Sequence, residues 1–200
     1  MKKETKEFLK LLKMTQEELA SYILSNVANA VYKEGDYIYI ENDKYNPILT
    51  SHLDTINTHS NSKYAPVPKL AIIDGVIHNQ NPNSVLGGDD RAGVWIMLQL
   101  LYKGNSSYNY LFCFDEEIGG HGSTAFAKDY KHKIKDSSCY ISLDRRGSDE
   151  VASYDYDNEE LFAVFEDIGY KRVNGSFTDC VNLSEETDIA CCNLSVGYNN

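Results

Sequence analysis

Short apolar strands alternate with helical segments along the second half of the chain, and this alternation limits the folds that it can adopt. The segments "YNYLFCFDEE", "CYISLDRRG" and "IACCNLSVGYNN" each contain an apolar run of strand length. Between and around them, "GSTAFAKDYKHKI" and "NEELFAVFEDIGY" have helical spacing. Apolar strands that alternate with helices form mostly parallel sheets with helices on both faces. We therefore predict an α/β fold, a three-layer sandwich with a mixed, mostly parallel central sheet.

The N-terminal part of the chain adds helices and a strand pair to this pattern. Apolar side chains at helical spacing predict a helical segment over about residues 5–30. Thr15 and Glu18 have the spacing of a capping box, which predicts that the helix restarts there. Alternation in "VYKEGDYIYIEN" predicts two strands that turn near Gly35.

A chain of 200 residues is long enough for one ordinary domain and short for two. We predict a single domain over residues 1–200, with the helical segment packed on it. Asp74 and Gly75 lie between apolar runs and mark a two-residue hairpin turn. The polar stretch from Thr55 to Pro68 is expected to form a loop on the functional edge of the sheet.

The charge balance excludes several classes of partner. The chain has 19 basic and 30 acidic residues, a net charge of −11 and a pI near 4.8. Such a chain repels nucleic acid and anionic membranes, whereas cations are favoured. The start of the chain has charged residues where a signal peptide would have an apolar run, and no apolar run has membrane-spanning length, so we expect a cytoplasmic protein. We expect its five cysteines to be free thiols.

Polar side chains with metal-binding chemistry follow the predicted strands. In open α/β sheets, ligands bind outside the carboxyl ends of the strands. The residues at those positions are His52, Asp54, Asp89, Asp90, Glu116, Glu117 and Asp144. Each one taken alone has an ordinary explanation as a solvated loop residue of an acidic chain. The set of them in this order favours a metal site.

The spacing within the set gives a physical reason for each position. His52 and Asp54 are two residues apart, so in extended backbone they face the same way, and the carboxylate orients the imidazole toward a metal. Glu116 and Glu117 are adjacent and diverge, which allows one to bind metal while the other faces water and substrate. Two Zn²⁺ ions would balance four carboxylates, and one aspartate would then bridge the ions.

Four motifs carry a resemblance to a known family. "SHLDT", "GGDDRAG", "DEEIGGHGS" and "SLDRRG" resemble, in order and spacing, those of the co-catalytic zinc exopeptidases, the M20, M28 and M42 groups of aminopeptidases and carboxypeptidases. The resemblance runs from about Pro47 to the C-terminus. It implies hydrolysis of a peptide or related amide bond by a metal-activated water, with two zinc ions in the family and one or two here, and other divalent ions are left open.

The resemblance also assigns roles to residues. The implied metal ligands are His52, Asp89, Glu117 and Asp144, with Asp89 bridging the two ions and its peptide bond to the next residue often cis. Glu116 is the implied general base, and Asp54 is the implied catalytic partner that holds the imidazole.

The chain departs from the family pattern in two respects. The family has a last histidine ligand after the final strand, whereas the sequence reaches Asn200 without it, so we expect weak binding of the ion that Glu117 shares with that histidine and low activity. The M20 enzymes carry a dimerisation insert after the aspartate ligand, but the stretch from Asp144 to Asn200 is predicted to hold only a strand, a helix and a strand. The sequence therefore predicts a compact catalytic domain without this insert.

Substrate contacts are predicted beside the metal ligands. Arg145 and Arg146 follow the ligand Asp144 directly. One of them is expected either to bind a substrate carboxylate or only to balance the charge of the acidic cluster, and Arg145 is our candidate for the substrate contact. The segment "GSFTD" is expected to line the pocket, with Asp179 as a candidate for a substrate amine. The expected partner is a peptide or small amide, and a homo-oligomer is left open. Two alternatives remain: a metallopeptidase-like binding module with little or no activity, and a hydrolase of a non-peptide amide.

Overall fold

The computed structural model describes residues 2–56, 67–155 and 159–198. Most of the predicted loop from Thr55 to Pro68 lies outside these residues. The helices are α1 (Lys3–Leu11), α2 (Gln16–Asn26), α3 (Gly88–Tyr102), α4 (His121–Tyr130), α5 (Glu159–Asp167) and α6 (Asp179–Thr187). The strands are β1 (Val31–Lys33), β2 (Tyr37–Ile40), β3 (Ile48–His52), β4 (Leu70–Ile73), β5 (Val76–Asn79), β6 (Asn109–Cys113), β7 (Tyr140–Arg145), β8 (Glu150–Ser153), β9 (Lys171–Asn174) and β10 (Cys191–Ser195).

Eight of these strands form one mixed sheet in the order β1-β2-β6-β3-β7-β10-β8-β9. The four central strands, β6, β3, β7 and β10, are parallel to one another. Antiparallel pairs join β1 to β2, β2 to β6, and β10 to β8. The central strands are buried along almost their whole length, as expected for strands covered on both faces.

Helices cover both faces of the sheet and create two apolar cores. One core contains Leu11 of α1, Ile23 of α2, Met97 of α3 and Phe162 of α5. The other core contains side chains of α4 and α6, among them Phe126 and Leu183. The fold is therefore the predicted α/β three-layer sandwich with a mixed, mostly parallel central sheet.

Local sequence signals determine two of the predicted elements. The Thr15 Oγ1 accepts a hydrogen bond from the Glu18 backbone N–H at 3.2 Å, and the Glu18 carboxylate accepts one from the Thr15 N–H at 3.0 Å, so the capping box begins α2 as predicted. Asp74 and Gly75 have φ values of 51° and 84°, which the two-residue turn between β4 and β5 requires.

The region after β7 holds more structure than the predicted strand, helix and strand. It contains β8, α5, β9, α6 and β10. The strands β8 and β9 have only four residues each, and β9 is a partly exposed edge strand with two basic side chains, so neither has an apolar signal of its own. Helix α6 has weak amphipathic spacing and is held by packing against α4. Tertiary contacts rather than local pattern stabilise these elements.

Two further features of the described residues concern the cysteines and the length of the helices. All five cysteines are free and buried, as predicted. Within the described ranges, the helices are all too short or too polar to cross a membrane.

Candidate metal centre

Three neighbouring parallel strands bring the predicted ligands to one edge of the sheet. Strands β6, β3 and β7 lie side by side and run in the same direction, so their carboxyl ends meet. His52 ends β3, Asp144 lies near the end of β7, and Glu116 and Glu117 follow β6. Asp89 lies at the start of α3, which packs against β3 and β7.

His52 is the centre of this cluster and is 1% exposed. Its Nδ1 lies 3.1 Å from Asp54 Oδ1, and its Nε2 lies 2.9 Å from Asp89 Oδ1 and 3.4 Å from Asp144 Oδ1. Burial opposes protonation, but the charge of Asp144 and hydrogen bonds to the three carboxylates outweigh it and raise the pKa of His52 well above its usual value. A neutral imidazole has one N–H. Without a cation, His52 must therefore carry two protons to donate a hydrogen bond to Asp54 from Nδ1 and to Asp89 from Nε2.

Asp54 connects the imidazole to both glutamates. Its Oδ1 accepts a hydrogen bond from the Glu116 N–H at 3.1 Å, and its Oδ2 accepts one from the Glu117 N–H at 3.0 Å. Burial opposes ionisation of Asp54, but hydrogen bonds from His52 and from these two backbone groups lower its pKa below the usual value. One ionised carboxylate thus orients three residues of the cluster.

The two aspartates of "GGDDRAG" have different environments. Asp89 faces the cavity with its Oδ1 toward His52 Nε2, whereas Asp90 is completely buried. The Asp90 carboxylate accepts hydrogen bonds from the backbone N–H of His52 at 3.2 Å and of Gly93 at 3.0 Å, and from the Ser51 hydroxyl. The Asp89–Asp90 peptide bond is cis, as the family resemblance implied. Asp90 is therefore structural, and Asp89 is the one available for a ligand.

Helix α3 approaches the sheet at Gly93 more closely than any side chain would permit. A Cβ at this position would lie 2.1 Å from the Leu143 carbonyl oxygen and 2.6 Å from Asp90 Oδ1. The glycine thus allows the start of the helix to sit against β7. The close approach holds Asp89 beside Asp144.

Glu116 and Glu117 form the other side of the cluster. Burial is the main cause that raises the pKa of Glu116 to about 8 and that of Glu117 to about 7, and the nearby carboxylates add to it. One carboxylate oxygen from each lies within 4.8 Å of a His52 ring nitrogen. Raised pKa values of clustered carboxyl groups indicate a site that a cation would stabilise in its ionised form.

Asp144 is held by one of its oxygens and presents the other to His52. Thr178 donates a hydrogen bond from its hydroxyl to Asp144 Oδ2 at 3.2 Å. Asp144 Oδ1 is buried and has no hydrogen-bond partner among the described residues, although His52 Nε2 is 3.4 Å away. A buried carboxylate oxygen without a partner is costly, and a cation between it and the imidazole would satisfy both.

The donor set fits a divalent metal ion. Ligand atoms of His52, Asp89 and Asp144 all lie within 4.8 Å of one another, and those of His52, Glu116 and Glu117 form a second such group. Imidazole nitrogen and carboxylate oxygen are ligands that Zn²⁺ accepts. The structure therefore brings together all four predicted metal ligands, and the adjacent Glu116 and Asp54 with them.

Two residues that contact this cluster were not singled out from the sequence. Arg91 is 2% exposed, and its guanidinium donates hydrogen bonds to the carbonyl oxygens of Leu53 at 2.5 Å, Asp54 at 3.1 Å and Met14 at 3.1 Å. Tyr198 donates from its hydroxyl toward the Asp144 carbonyl oxygen at 2.8 Å and Asp89 Oδ2 at 3.2 Å. The adjacency of Arg91 to the aspartate pair was a visible signal, whereas nothing local marked Tyr198.

A cavity of about 610 Å³ opens at the metal centre. Its wall includes the carboxylates Asp89, Glu116, Glu117 and Asp144, the cations Arg145 and Arg146, the aromatic residues Tyr154, Phe177 and Tyr198, and Gly119, Ser176 and Asn193. The volume is typical of sites for small molecules. As expected, part of the segment "GSFTD" lies in the wall.

The two predicted substrate contacts have different positions. Arg145 lies in the wall, but its guanidinium is bound to Glu150 Oε2 through Nε at 2.8 Å and Nη2 at 2.6 Å. Asp179 begins α6, is 2% exposed and is not part of the wall that the described residues form. Burial raises the pKa of Asp179 to about 6. Asp179 is therefore buried outside the wall that the described residues form, and its contact with a substrate amine stays a prediction.

Comparison with known proteins finds similarity in structure alone. No protein-family model matches the chain, and no curated protein matches it. Among solved structures, the aminopeptidase PepT from Bacillus cereus superposes with a TM-score of 0.54 at 20% identity over 74% of this chain. This chain covers 46% of the PepT chain, so it spans about half the length of that protein.

Two other solved structures match over almost the whole chain. PhTET1-12s, a dodecamer, superposes with a TM-score of 0.62 at 12% identity. The match covers 100% of this chain and 92% of the PhTET1-12s chain. The glutaminyl cyclase from Porphyromonas gingivalis has a TM-score of 0.61 at 12% identity over 98% of this chain and 82% of its own. Likeness at such low identity shows the fold alone, and the chain has the fold of these solved structures, which is of the class that the sequence predicted.

Proposed function

We propose that this chain is a metal-dependent hydrolase that cleaves a peptide or related amide bond, with zinc as the metal. The observation that carries the proposal is the convergence of His52, Asp89 and Asp144 on one point, where a buried oxygen of Asp144 has no hydrogen-bond partner among the described residues. The peptidase neighbours of the fold support the choice of reaction. Fold alone does not determine chemistry, as the glutaminyl cyclase with the same fold illustrates.

The residues of the site would divide the work as follows. His52, Asp89, Asp144 and Glu117 would hold the zinc ions, which when bound would supply Lewis acidity toward a water molecule and a substrate carbonyl group. Glu116 lies beside these ligands in the cavity wall and accepts the proton of the attacking water at its carboxylate. The same carboxyl group then donates that proton to the leaving amine.

Positioning residues keep this proton acceptor in place. Asp54 holds the backbone N–H groups of Glu116 and Glu117, so both side chains leave the backbone from a fixed point. It also holds His52 Nδ1, which leaves Nε2 for the metal. Arg91 in turn fixes the carbonyl oxygens of Leu53 and Asp54.

Two variants separate the roles of the glutamates. Glu117→Gln is expected to weaken zinc binding about 10-fold or more, because it removes a ligand. Glu116→Gln is expected to keep zinc and to lose hydrolysis of amino-acid amides and short peptides by roughly 100-fold or more. Isothermal titration with zinc and a hydrolysis assay measure the two effects. Glu166→Gln, an exposed change on α5 with the same loss of charge, is the matched control.

The result also decides between this proposal and its alternatives. If Glu116→Gln loses zinc and Glu117→Gln keeps it, the two roles are reversed. Zinc binding without hydrolysis of any peptide or amide would favour a binding module. Hydrolysis of acylated amino acids but not of peptides would favour the non-peptide substrate. A chain that binds no zinc contradicts the proposal altogether.

The remaining expectations stay predictions. A homo-oligomer is consistent with the dodecameric state of PhTET1-12s, and sedimentation velocity tests it. Cytoplasmic location and the assignment of residues 1–200 to a single catalytic domain are likewise proposals.

A further inference from the structure

We propose that Arg146 binds a carboxylate of the substrate, so that the preferred substrate is a short peptide with a free C-terminal carboxylate. The inference rests on the proposed hydrolase function and adds the substrate class and the residue that selects it.

The backbone around Arg146 is held firmly. Hydrogen bonds join the N–H of Val196 to the Arg145 carbonyl oxygen at 2.9 Å and the Ser195 hydroxyl to the Arg146 carbonyl oxygen at 2.7 Å. Gly147 exchanges backbone hydrogen bonds with the chain after β10. The segment that carries the side chain is therefore fixed, which reduces the entropy lost when a ligand orders the guanidinium.

The side chain of Arg146 is available, whereas that of Arg145 is not. Arg145 has a two-point contact with Glu150, so its charge is already neutralised. Arg146 is exposed and lies in the cavity wall, and its guanidinium makes no hydrogen bond or ion pair with any described residue. The sequence left the choice between the two arginines open, and these contacts favour Arg146.

The charges of the cavity point to an anionic ligand group at this position. Among the described residues, the other charged side chains of the wall are Arg145, which is paired, and the carboxylates Asp89, Glu116, Glu117 and Asp144. Two divalent cations would balance those four carboxylates. Arg146 then remains as a positive charge without a counterpart among the described residues of the wall, and a guanidinium binds a carboxylate through two parallel hydrogen bonds.

The position of Arg146 in the chain limits where that carboxylate lies. Arg146 follows Asp144 by two residues, so their Cα atoms are at most about 7 Å apart. A carboxylate bound there is close to the metal centre and to the bond that is cleaved. The α-carboxylate of a dipeptide or tripeptide meets this condition whichever end of the peptide is attacked, whereas that of a long polypeptide meets it only when one of its last bonds is cleaved. The cavity of about 610 Å³ also suits a small ligand.

The test compares a dipeptide or tripeptide with its C-terminal amide, using the zinc-loaded chain. The wild-type chain is expected to prefer the free acid. Arg146→Met should lower kcat/KM for the acid by about 10- to 100-fold, mainly through KM, since charge-assisted hydrogen bonds to the carboxylate are lost. The same variant should change kcat/KM for the amide by less than about 2-fold, because no charged contact is lost there. Lys135→Met, which removes an exposed cation elsewhere, should change neither substrate.

The outcome that overturns the proposal is an Arg146→Met variant that affects acid and amide equally or affects neither. If the wild-type chain hydrolyses neither compound, the proposed function fails, and binding then decides the role of Arg146. For that measurement, the acid and the amide are titrated into zinc-loaded Glu116→Gln protein with and without Arg146→Met. Tighter binding of the acid that disappears with Arg146→Met supports the proposal. Equal binding of acid and amide contradicts it.

Discussion

Replacing Asp54 with Asn tests whether one carboxylate organises the metal centre. Asp54 accepts three hydrogen bonds: His52 Nδ1 at 3.1 Å and the Glu116 N–H at 3.1 Å share Oδ1, and the Glu117 N–H at 3.0 Å bonds Oδ2. Asn keeps the shape of the side chain but has one acceptor oxygen and an NH₂ group that donates. In either orientation of the amide, at least one N–H of the site loses its acceptor.

The size of the effect follows from these contacts. A buried donor that loses its partner costs about 1–3 kcal/mol, and the remaining hydrogen bonds lose the assistance of a charge. We therefore expect the free energy of unfolding to fall by roughly 2–4 kcal/mol, which lowers Tm by about 5–15 °C in a chain of this size. Because His52 and Glu117 lose their fixed orientation, zinc affinity should fall by about 10- to 100-fold.

The assay is thermal unfolding with chelator, together with zinc titration by calorimetry. Asp74→Asn is the matched control, since it makes the same chemical change at a hairpin turn where Asn accepts the positive φ of 51°. The control should bind zinc and unfold like the wild type. If Asp54→Asn does so too, Asp54 does not organise the centre and the reasoning is refuted.

Three further predictions test other parts of the structure. Burial raises the pKa of Glu116 to about 8 and of Glu117 to about 7. Between about pH 4.5 and these values, the folded state without a cation keeps protons that the unfolded state has released, so the free energy of unfolding falls as the pH rises. Zinc should then raise Tm more at pH 7.5 than at pH 5.5, and an equal rise at both contradicts the assignment. Tyr198→Phe removes one hydroxyl donor and should weaken zinc binding by roughly 5-fold, less than Asp54→Asn, as measured by the same titration. Thr15→Ala removes the N-cap of α2 and should cost about 1 kcal/mol in unfolding experiments while zinc affinity stays unchanged; a loss of zinc affinity would show that α2 acts on the site.

Local signals in the sequence predicted the elements that depend on local physics. The capping box at Thr15, the hairpin at Asp74 and the strand that ends at His52 each follow from a few adjacent residues, because caps, turns and apolar strand runs involve neighbours in the chain. The same holds for the pairing of His52 with Asp54, since residues two apart in extended chain face the same side.

Contacts between distant residues decided the rest of the site. The ion pair of Arg145 with Glu150, which leaves Arg146 as the available cation, depends on how the chain turns after β7. The burial of Asp179 depends on how α6 packs against the sheet and α4. Residue types and their spacing in the sequence indicate neither this ion pair nor this burial.

The sequence by itself determined the α/β class and which residues carry metal-binding chemistry, because strand and helix periodicity and ligand type are properties of short segments. Only the tertiary structure decided which aspartate of the pair is available and which is buried. Asp90 fills its acceptors with the backbone of His52 and Gly93, while Asp89 lies in the cavity wall beside His52 and Asp144. The two residues are adjacent and chemically identical, so only the packing of α3 against β3 and β7 distinguishes them.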